Sequence, residues 1–253
     1  MQKTITIVQL SDMHLYKDSN LLLNNSNPHE NFKLALKNIS GLATKPDLLF
    51  LTGDLSQDAS VESYQELKNI LETTGLKYSI LVGNHDDMNA VNKVFHYNWT
   101  NETVDSSFVL NEWLIYCLNT SRYPQEAGFL SKTQLEKLTN TLEVHKSKNA
   151  IIFLHHQPVL VNSLWIDKMA LRNSVEFNQV IQKYGNVKAV LFGHIHHVFE
   201  KTANNIFYAS CPSTVYQVVA NNDNFKVDKR IPGYRLIKLN ESGFESEVIW
   251  VNK

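Results

Sequence analysis

This chain of 253 residues predicts an α/β fold, with two sheets packed together and flanked by helices. Three observations carry that expectation. Five short runs are continuously apolar, as buried strands are, rather than alternating as half-exposed strands are. Amphipathic stretches with helix start signals lie between them. After Gly193 the pattern turns strand-rich and stays so to the end.

The elements can be taken in order. Residues 5–10, 48–51, 79–82, 151–154 and 187–192 are the five apolar runs. Asn27-Pro28-His29-Glu30 combines an N-cap, a first-turn proline and a glutamate at the capping-box position, so a helix should start there with Phe32, Leu36, Ile39 and Leu42 on one face. Residues 61–71 predict a second helix, with Tyr64, Leu67 and Leu71 inward. Residues 104–118 change to paired strands, Phe108-Val109-Leu110 and 113–118, joined by Asn111-Glu112 as a hairpin. Ser131-Lys132-Thr133-Gln134 is a capping box opening a third helix, with Leu135, Leu138 and Leu142 as its stripe. Asn173-Ser174-Val175-Glu176 opens a fourth, which carries Val180 and Ile181. Strands are expected at 198–201, 206–209, 234–239 and 248–251, and the polar stretch 221–230 should be a mobile loop. There is no internal repeat and no low-complexity segment.

Composition narrows the function classes. Lys+Arg number 24 against 25 Asp+Glu, so the chain lacks the basic excess of a dedicated duplex-nucleic-acid binder. No run approaches the length of a membrane span, and the N-terminus has no signal-peptide pattern. A cytoplasmic protein without membrane contact is therefore expected. Cys117 and Cys211 are too few for a disulfide framework or a thiolate zinc site, and Cys117 should be a small buried hydrophobe.

The chemistry sits directly after the five apolar runs, in the blocks Asp12-Met13-His14, Gly53-Asp54, Gly83-Asn84-His85-Asp86, His155-His156 and Gly193-His194-Ile195-His196. Ligands of open α/β sheets bind outside the carboxyl ends of strands. Five strands that each present imidazole or carboxylate there point to one shared polynuclear metal site. Donors of this kind, without thiolate, suit Mn, Fe, Zn and similar ions. Asp12 and His14, like His194 and His196, are spaced so that both can face one cleft. Gly53, Gly83 and Gly193 are expected where the backbone turns tightly. Because the blocks span residues 12–196, no domain boundary is expected inside that range, and residues 1–253 read as one domain. Each block alone would be an ordinary turn; their order and placement together make the case.

In that order the blocks resemble the calcineurin-like metallophosphoesterases. More narrowly, Gln9-Leu10-Ser11-Asp12-Met13-His14-Leu15, Gly53 to Asp58, Leu171-Arg172-Asn173, Gly193-His194-Ile195-His196, Pro212-Ser213-Thr214 and Pro232-Gly233-Tyr234-Arg235 resemble the bacterial class III 3′,5′-cyclic-AMP phosphodiesterases. The resemblance implies a four-layer α-β-β-α sandwich of two mixed sheets flanked by helices, with two divalent metal ions, Fe2+ and/or Mn2+. By position, one ion would take Asp12, His14, Asp54 and His196, and the other Asp54, Asn84, His155 and His194, with Asp54 shared. His14, Asp54, Asn84, His85 and His196 would meet the substrate phosphate. His156 would back the site or fill the core, and His29, His96, His145 and His197 would be surface or structural.

On that implied arrangement two ions, two carboxylates and a hydroxide leave a formal charge of about +1 to attract an anionic phosphodiester. The ions would stand ~3.5–4 Å apart and activate a shared water. The alkoxide leaving group needs a proton, which makes His85, beside a ligand but not one in the family, the expected general acid. Asp86 and Asp58 are alternative carboxylates to hold it charged, and Asp86 equally reads as a turn cap. Trp165 could stack on a base or pack its loop. Arg172 could meet phosphate or ribose, Asn173 reads as a helix cap, and Tyr216 and Tyr234 read as core.

The leading expectation is hydrolysis of 3′,5′-cyclic AMP to 5′-AMP by a monomer or homodimer acting on a small-molecule phosphodiester. The alternatives are the same chemistry on 2′,3′-cyclic nucleotides, glycerophosphodiesters or pyrophosphate-linked lipid precursors; a nuclease, which the charge balance disfavours; and a non-catalytic interaction scaffold, disfavoured because all seven ligand positions and His85 are filled.

Overall fold

A computed structural model describes residues 4–101, 106–230 and 232–251. In chain order the first elements are β1 (Ile5–Leu10), α1 (Pro28–Ser40), β2 (Leu48–Thr52), α2 (Val61–Thr73), β3 (Tyr78–Leu81) and α3 (Met88–Phe95). There follow β4 (Ser106–Leu110), β5 (Trp113–Cys117), α4 (Lys132–Val144), β6 (Asn149–Phe153), α5 (Leu164–Asp167), α6 (Ser174–Ile181) and β7 (Val187–Phe192). The last third holds β8 (Glu200–Ala203), β9 (Ile206–Ser210), β10 (Gln217–Val218), β11 (Val227–Asp228), β12 (Gly233–Asn240) and β13 (Gly243–Trp250).

The expected sandwich is present. One sheet runs β13-β12-β1-β2-β3, the other β4-β5-β6-β7-β9-β8. In the first, β1, β2 and β3 are parallel while β12 and β13 are antiparallel to their neighbours. In the second, β5, β6, β7 and β9 are parallel, with β4 and β8 antiparallel at the edges. Three apolar layers explain why the central strands are apolar on both faces. Val8, Leu10, Leu49 and Leu51 face Phe32, Leu36, Tyr64 and Leu67 of α1 and α2. Ile7, Phe50, Ile151, Phe153 and Leu191 meet between the sheets, where Phe50 stacks on Phe153 at 4.2 Å and 14°. Ile152, Val190 and Phe192 face Leu138, Leu142, Phe177 and Ile181 of α4 and α6.

Local signals set the boundaries. Asn27 caps α1 by accepting from Glu30 N, and Ser131 and Gln134 form both halves of the capping box of α4. The two-residue hairpin at Asn111-Glu112 pairs Leu110 with Trp113, with Asn111 at φ +51°; residues 104 and 105, where this hairpin was expected to begin, lie outside the described residues.

Four expectations need correction. Asn173 precedes α6 but makes no side-chain cap; its amide instead bridges Leu130 N and O at 3.0 and 2.8 Å, tying α6 to the start of α4. The strand expected at 198–201 begins two residues later, as β8. The stretch 221–230 contains β11, which pairs with β10, and Asn222 N donates to Ser163 Oγ, so contacts distant in sequence order it. Helix α3 was not foreseen, because eight residues with polar Asn89 and Asn92 give too few turns for a periodic signal. Among the described residues no helix is long and apolar enough to cross a membrane.

Candidate metal centre

The two sheets present their carboxyl edges to the same place. Backbone bonds continue beyond the strands and zip the first two blocks together, with Asp12 N to Gly53 O at 3.0 Å and His14 N to Asp54 O at 2.9 Å. Asp86 then joins the second block to the third. Its carboxylate accepts from Leu55 N, Ser56 N and Gly83 N and from the Tyr64 hydroxyl. Gly193 N donates to His155 O, joining the fourth and fifth blocks. Across the sheets, His194 N donates to both Asp12 carboxylate oxygens at 3.1 Å.

All seven expected ligands and His85 converge on this point. Donor atoms of Asp12, His14, Asp54 and His196 lie within 4.8 Å of one another. His14 Nε2 stands 3.1 Å from His196 Nε2 and 3.6 Å from Asp54 Oδ2, and His196 Nε2 stands 3.5 Å from Asp12 Oδ1. On the other side His155 Nε2 is 3.1 Å from Asn84 Oδ1 and 3.4 Å from Asp54 Oδ1, with the His194 ring centroid 5.1 Å from its own. Asp54 thus turns one carboxylate oxygen to each group. His156 also lies within 4.8 Å of His155 and His194. It spends Nδ1 on Thr120 Oγ1 at 2.8 Å and Nε2 on Glu126 O at 3.0 Å, so it backs the site instead of offering a lone pair.

Five of these residues hold left-handed backbone: Asp12 (φ +56°), His14 (+46°), Asp54 (+50°), His194 (+70°) and His196 (+51°). Each such non-glycine residue costs on the order of 1 kcal/mol. Strain that clusters on converging polar side chains belongs to a site rather than to turns chosen for stability. Gly53 is left-handed too (φ +99°), whereas Gly83 and Gly193 are not, so the expectation of tight turns holds only at Gly53. The other two are needed for close approach: a Cβ on Gly83 would run into Asp54, and one on Gly193 into Ser11. At Gly53 a Cβ would lie 2.5 Å from His155 Nδ1. Gly53→Ala should therefore lower folding stability by about 3 kcal/mol or more, from backbone strain plus overpacking. Gly185→Ala, with nothing within 4 Å, should be neutral or stabilising. Urea melts of the two variants, with equal losses, would contradict this account.

The electrostatics suit cations. Burial pushes the Asp12 and Asp54 carboxyls up, but the neighbouring histidines outweigh it, His196 at Asp12 and His155 at Asp54, and hold both below their ordinary range. Burial lowers His14 to about 3, against the pull of Asp54, and drives His194 well down. Burial also opposes the charge on His155, yet Asp54 overcomes it and raises that group to about 9. Anionic carboxylates beside uncharged His14 and His194 suit metal ligation, and His155 would exchange its proton for the ion. One orphaned atom makes the fit concrete: His194 Nε2 is buried with no hydrogen-bond partner. In addition, His155 Nδ1 meets Thr52 O at 2.7 Å, a contact that uses its N–H and leaves Nε2 facing two acceptor oxygens. Only a proton or a metal ion satisfies that arrangement, and the residues present fit a pair of ions.

His85 is half-buried beside His14, with ring centroids 4.9 Å apart. Neither carboxylate considered for it is its partner. Asp86 is consumed by the bonds described above, and Asp58 caps the turn at Ser60 and accepts from Lys17 N. The neighbour of His85 Nδ1 is Gln57 Nε2 at 3.4 Å, a residue three positions past the second block and without the charge that was expected of the partner. Tyr216, expected in the core, lies against the centre. Its ring is 4.6 Å from that of His196 and its carbonyl 3.2 Å from His196 Nδ1. Tyr234 is core as expected, its hydroxyl on Asn38. Trp165 packs edge-on to Phe225 at 5.3 Å, which favours the loop-packing reading, and exposed Arg172 donates to Gln125 Oε1. His29 and His197 are buried and bonded to the backbone at Tyr16 O and Ile195 O, while His96 and His145 end α3 and α4. Two cavities of about 720 and 730 Å³ lie between α1 and α2 and at the amino ends of β1 and β2, away from this chemistry.

Comparison with known proteins gives a consistent picture. A family model described as calcineurin-like phosphoesterase matches residues 5–198. A 3′,5′-cyclic-nucleotide phosphodiesterase from Nostoc sp. is 37% identical over 239 residues, covering 94% of this chain and 89% of its own. The 3′,5′-cyclic adenosine monophosphate phosphodiesterase CpdA from Haemophilus influenzae is 31% identical over 240 residues, covering 94% and 87%. Among solved structures, a dimetal phosphatase from Danio rerio superimposes with a TM-score of 0.70 over 98% of this chain and 99% of that one, at 12% identity, a likeness of fold alone.

Proposed function

The chain belongs to the calcineurin-like phosphoesterase family, and from that premise we propose that it hydrolyses 3′,5′-cyclic AMP to 5′-AMP. The observation that carries this reading is a complete donor set in converging geometry, in a chain similar over nearly its whole length to a relative named for 3′,5′-cyclic-nucleotide hydrolysis.

In this reading Asp12, His14, Asp54 and His196 would hold one divalent ion, and Asp54, Asn84, His155 and His194 the other. When bound, the pair supplies Lewis-acid stabilisation of phosphate oxygens and an activated water. The chain's own groups do the rest. The carbonyls of Thr52 and Tyr216 take the Nδ1 protons of His155 and His196, fixing each ring with Nε2 toward the centre. Neutral Asn84, where a third carboxylate could stand, keeps the site attractive to an anion. His14, Asp54, Asn84, His85 and His196 border the phosphate. A water oxygen would add to phosphorus and release one proton to solvent, the P–O3′ bond would break, and His85 would deliver a proton to the departing 3′ oxygen and recover one from solvent. The amide of Gln57 facing Nδ1 supports Nε2 as the donating nitrogen.

The nitrogen and oxygen donors, without thiolate, favour Fe2+ and/or Mn2+. Residues 1–253 would act as one domain, as a cytoplasmic monomer or homodimer. An activity panel with each metal over cyclic AMP, cyclic GMP, 2′,3′-cyclic nucleotides, glycerophosphodiesters and monoesters tests the reading. Cyclic AMP should lead in kcat/KM. A different leading class would replace the substrate, and metal-independent inactivity throughout would favour a scaffold.

A further inference from the structure

We propose that the cavity beside α3 is the nucleobase site that distinguishes this enzyme's nucleotide substrate from simple phosphodiesters. The inference rests on the cyclic-nucleotide reading above. The cavity has a volume of about 320 Å³, within the range of small-molecule pockets, and its walls include Asp87, Met88, Asn89, Trp99, Ser121 and Tyr123.

Its position relative to the centre is set by one turn. Residues 83–86 carry Asn84 and His85 toward the metal centre, and the next three residues line the cavity. Ser121, on the opposite wall, donates to Gly83 O at 2.6 Å, and His85 N donates to Asp54 Oδ1 at 2.9 Å. His85 is three residues from Met88 in the cavity wall, a span of ~11 Å at most along the chain, which is the distance a base attached through a ribose would have to cover.

The lining suits a planar heterocycle. Tyr123 lines the cavity and is 47% exposed, so its ring is accessible to a ligand. Trp99 is held in place: Tyr97 stacks on one face at 4.1 Å, and Asn92 grips its backbone through both Trp99 N and Trp99 O. Met88 adds a polarisable side chain that adapts to ring edges. Asp87 and Asn89 supply polar atoms of both kinds for the exocyclic and ring nitrogens of a base. A stacking aromatic contributes affinity for any base, and the rim supplies choice among bases.

The test uses full-length metal-loaded protein and two substrates, cyclic AMP and methyl 4-nitrophenyl phosphate, which carries no base. In Tyr123→Ala, the ratio of kcat/KM for cyclic AMP to that for the nitrophenyl diester should fall about tenfold, through KM, and Tyr123→Phe should restore it. Asn89→Trp, which fills the cavity from an exposed position, should act in the same direction. A ratio that stays at the wild-type value in both Tyr123→Ala and Asn89→Trp would overturn the pocket while leaving the substrate reading intact. Wild-type protein that cleaves the nitrophenyl diester but no cyclic nucleotide would overturn both.

Discussion

Asp54→Ala is expected to reduce kcat by on the order of 10⁴-fold, because a dinuclear centre without its shared ligand loses the electrostatic stabilisation that drives the reaction. The geometry is specific to this residue. Its Oδ2 faces His14 in one group of donors and its Oδ1 faces His155 in the other. Oδ1 also accepts from His85 N, so the substitution loosens the turn that carries Asn84 and His85. Metal analysis of the purified variant should show fewer than two ions per chain. Retention of two ions, with turnover near wild type, would refute the shared role of Asp54.

The second large effect separates leaving groups. His85→Ala should lower turnover of cyclic AMP by about 10²- to 10⁴-fold, the usual range for general acid catalysis. Methyl 4-nitrophenyl phosphate, whose nitrophenolate departs without a proton, should lose roughly tenfold or less, the part due to contact with phosphate. His85 stands beside His14, with ring centroids 4.9 Å apart, and its Nδ1 faces an amide, not a carboxylate. Equal losses on both substrates would assign His85 to binding alone.

Much of this could be read before the structure. The apolar runs located β1, β2, β3, β6 and β7, because a strand buried on both faces needs no polar positions. The start signals located α1 and α4, since caps are chemistry within four residues. What could not be read depends on distant groups. Gln57 lies 28 positions from His85, and an uncharged amide gives no sign that it faces a ring. Tyr216 looked like core because only the fold brings it to His196. Asp86 illustrates the reverse: the turn-cap reading was the correct one, but the four donors that meet it come from three segments.

Residue identity alone settled which atoms could bind a cation: imidazoles, carboxylates and one amide, each placed at the end of a strand, with no thiolate among them. Covalent composition and local pattern carry that information because strand ends and donor types are short-range properties. Folding decided how those atoms are used. The parallel triplet β1-β2-β3 sits in one sheet and β6 with β7 in the other, so the centre exists only because two layers pack face to face. Which imidazole nitrogen stays free is set by carbonyls at Thr52 and Tyr216 on other segments. The left-handed backbone at Asp12, His14, Asp54, His194 and His196 is imposed by that packing against local preference, and local preference is all that a stretch of residues can express.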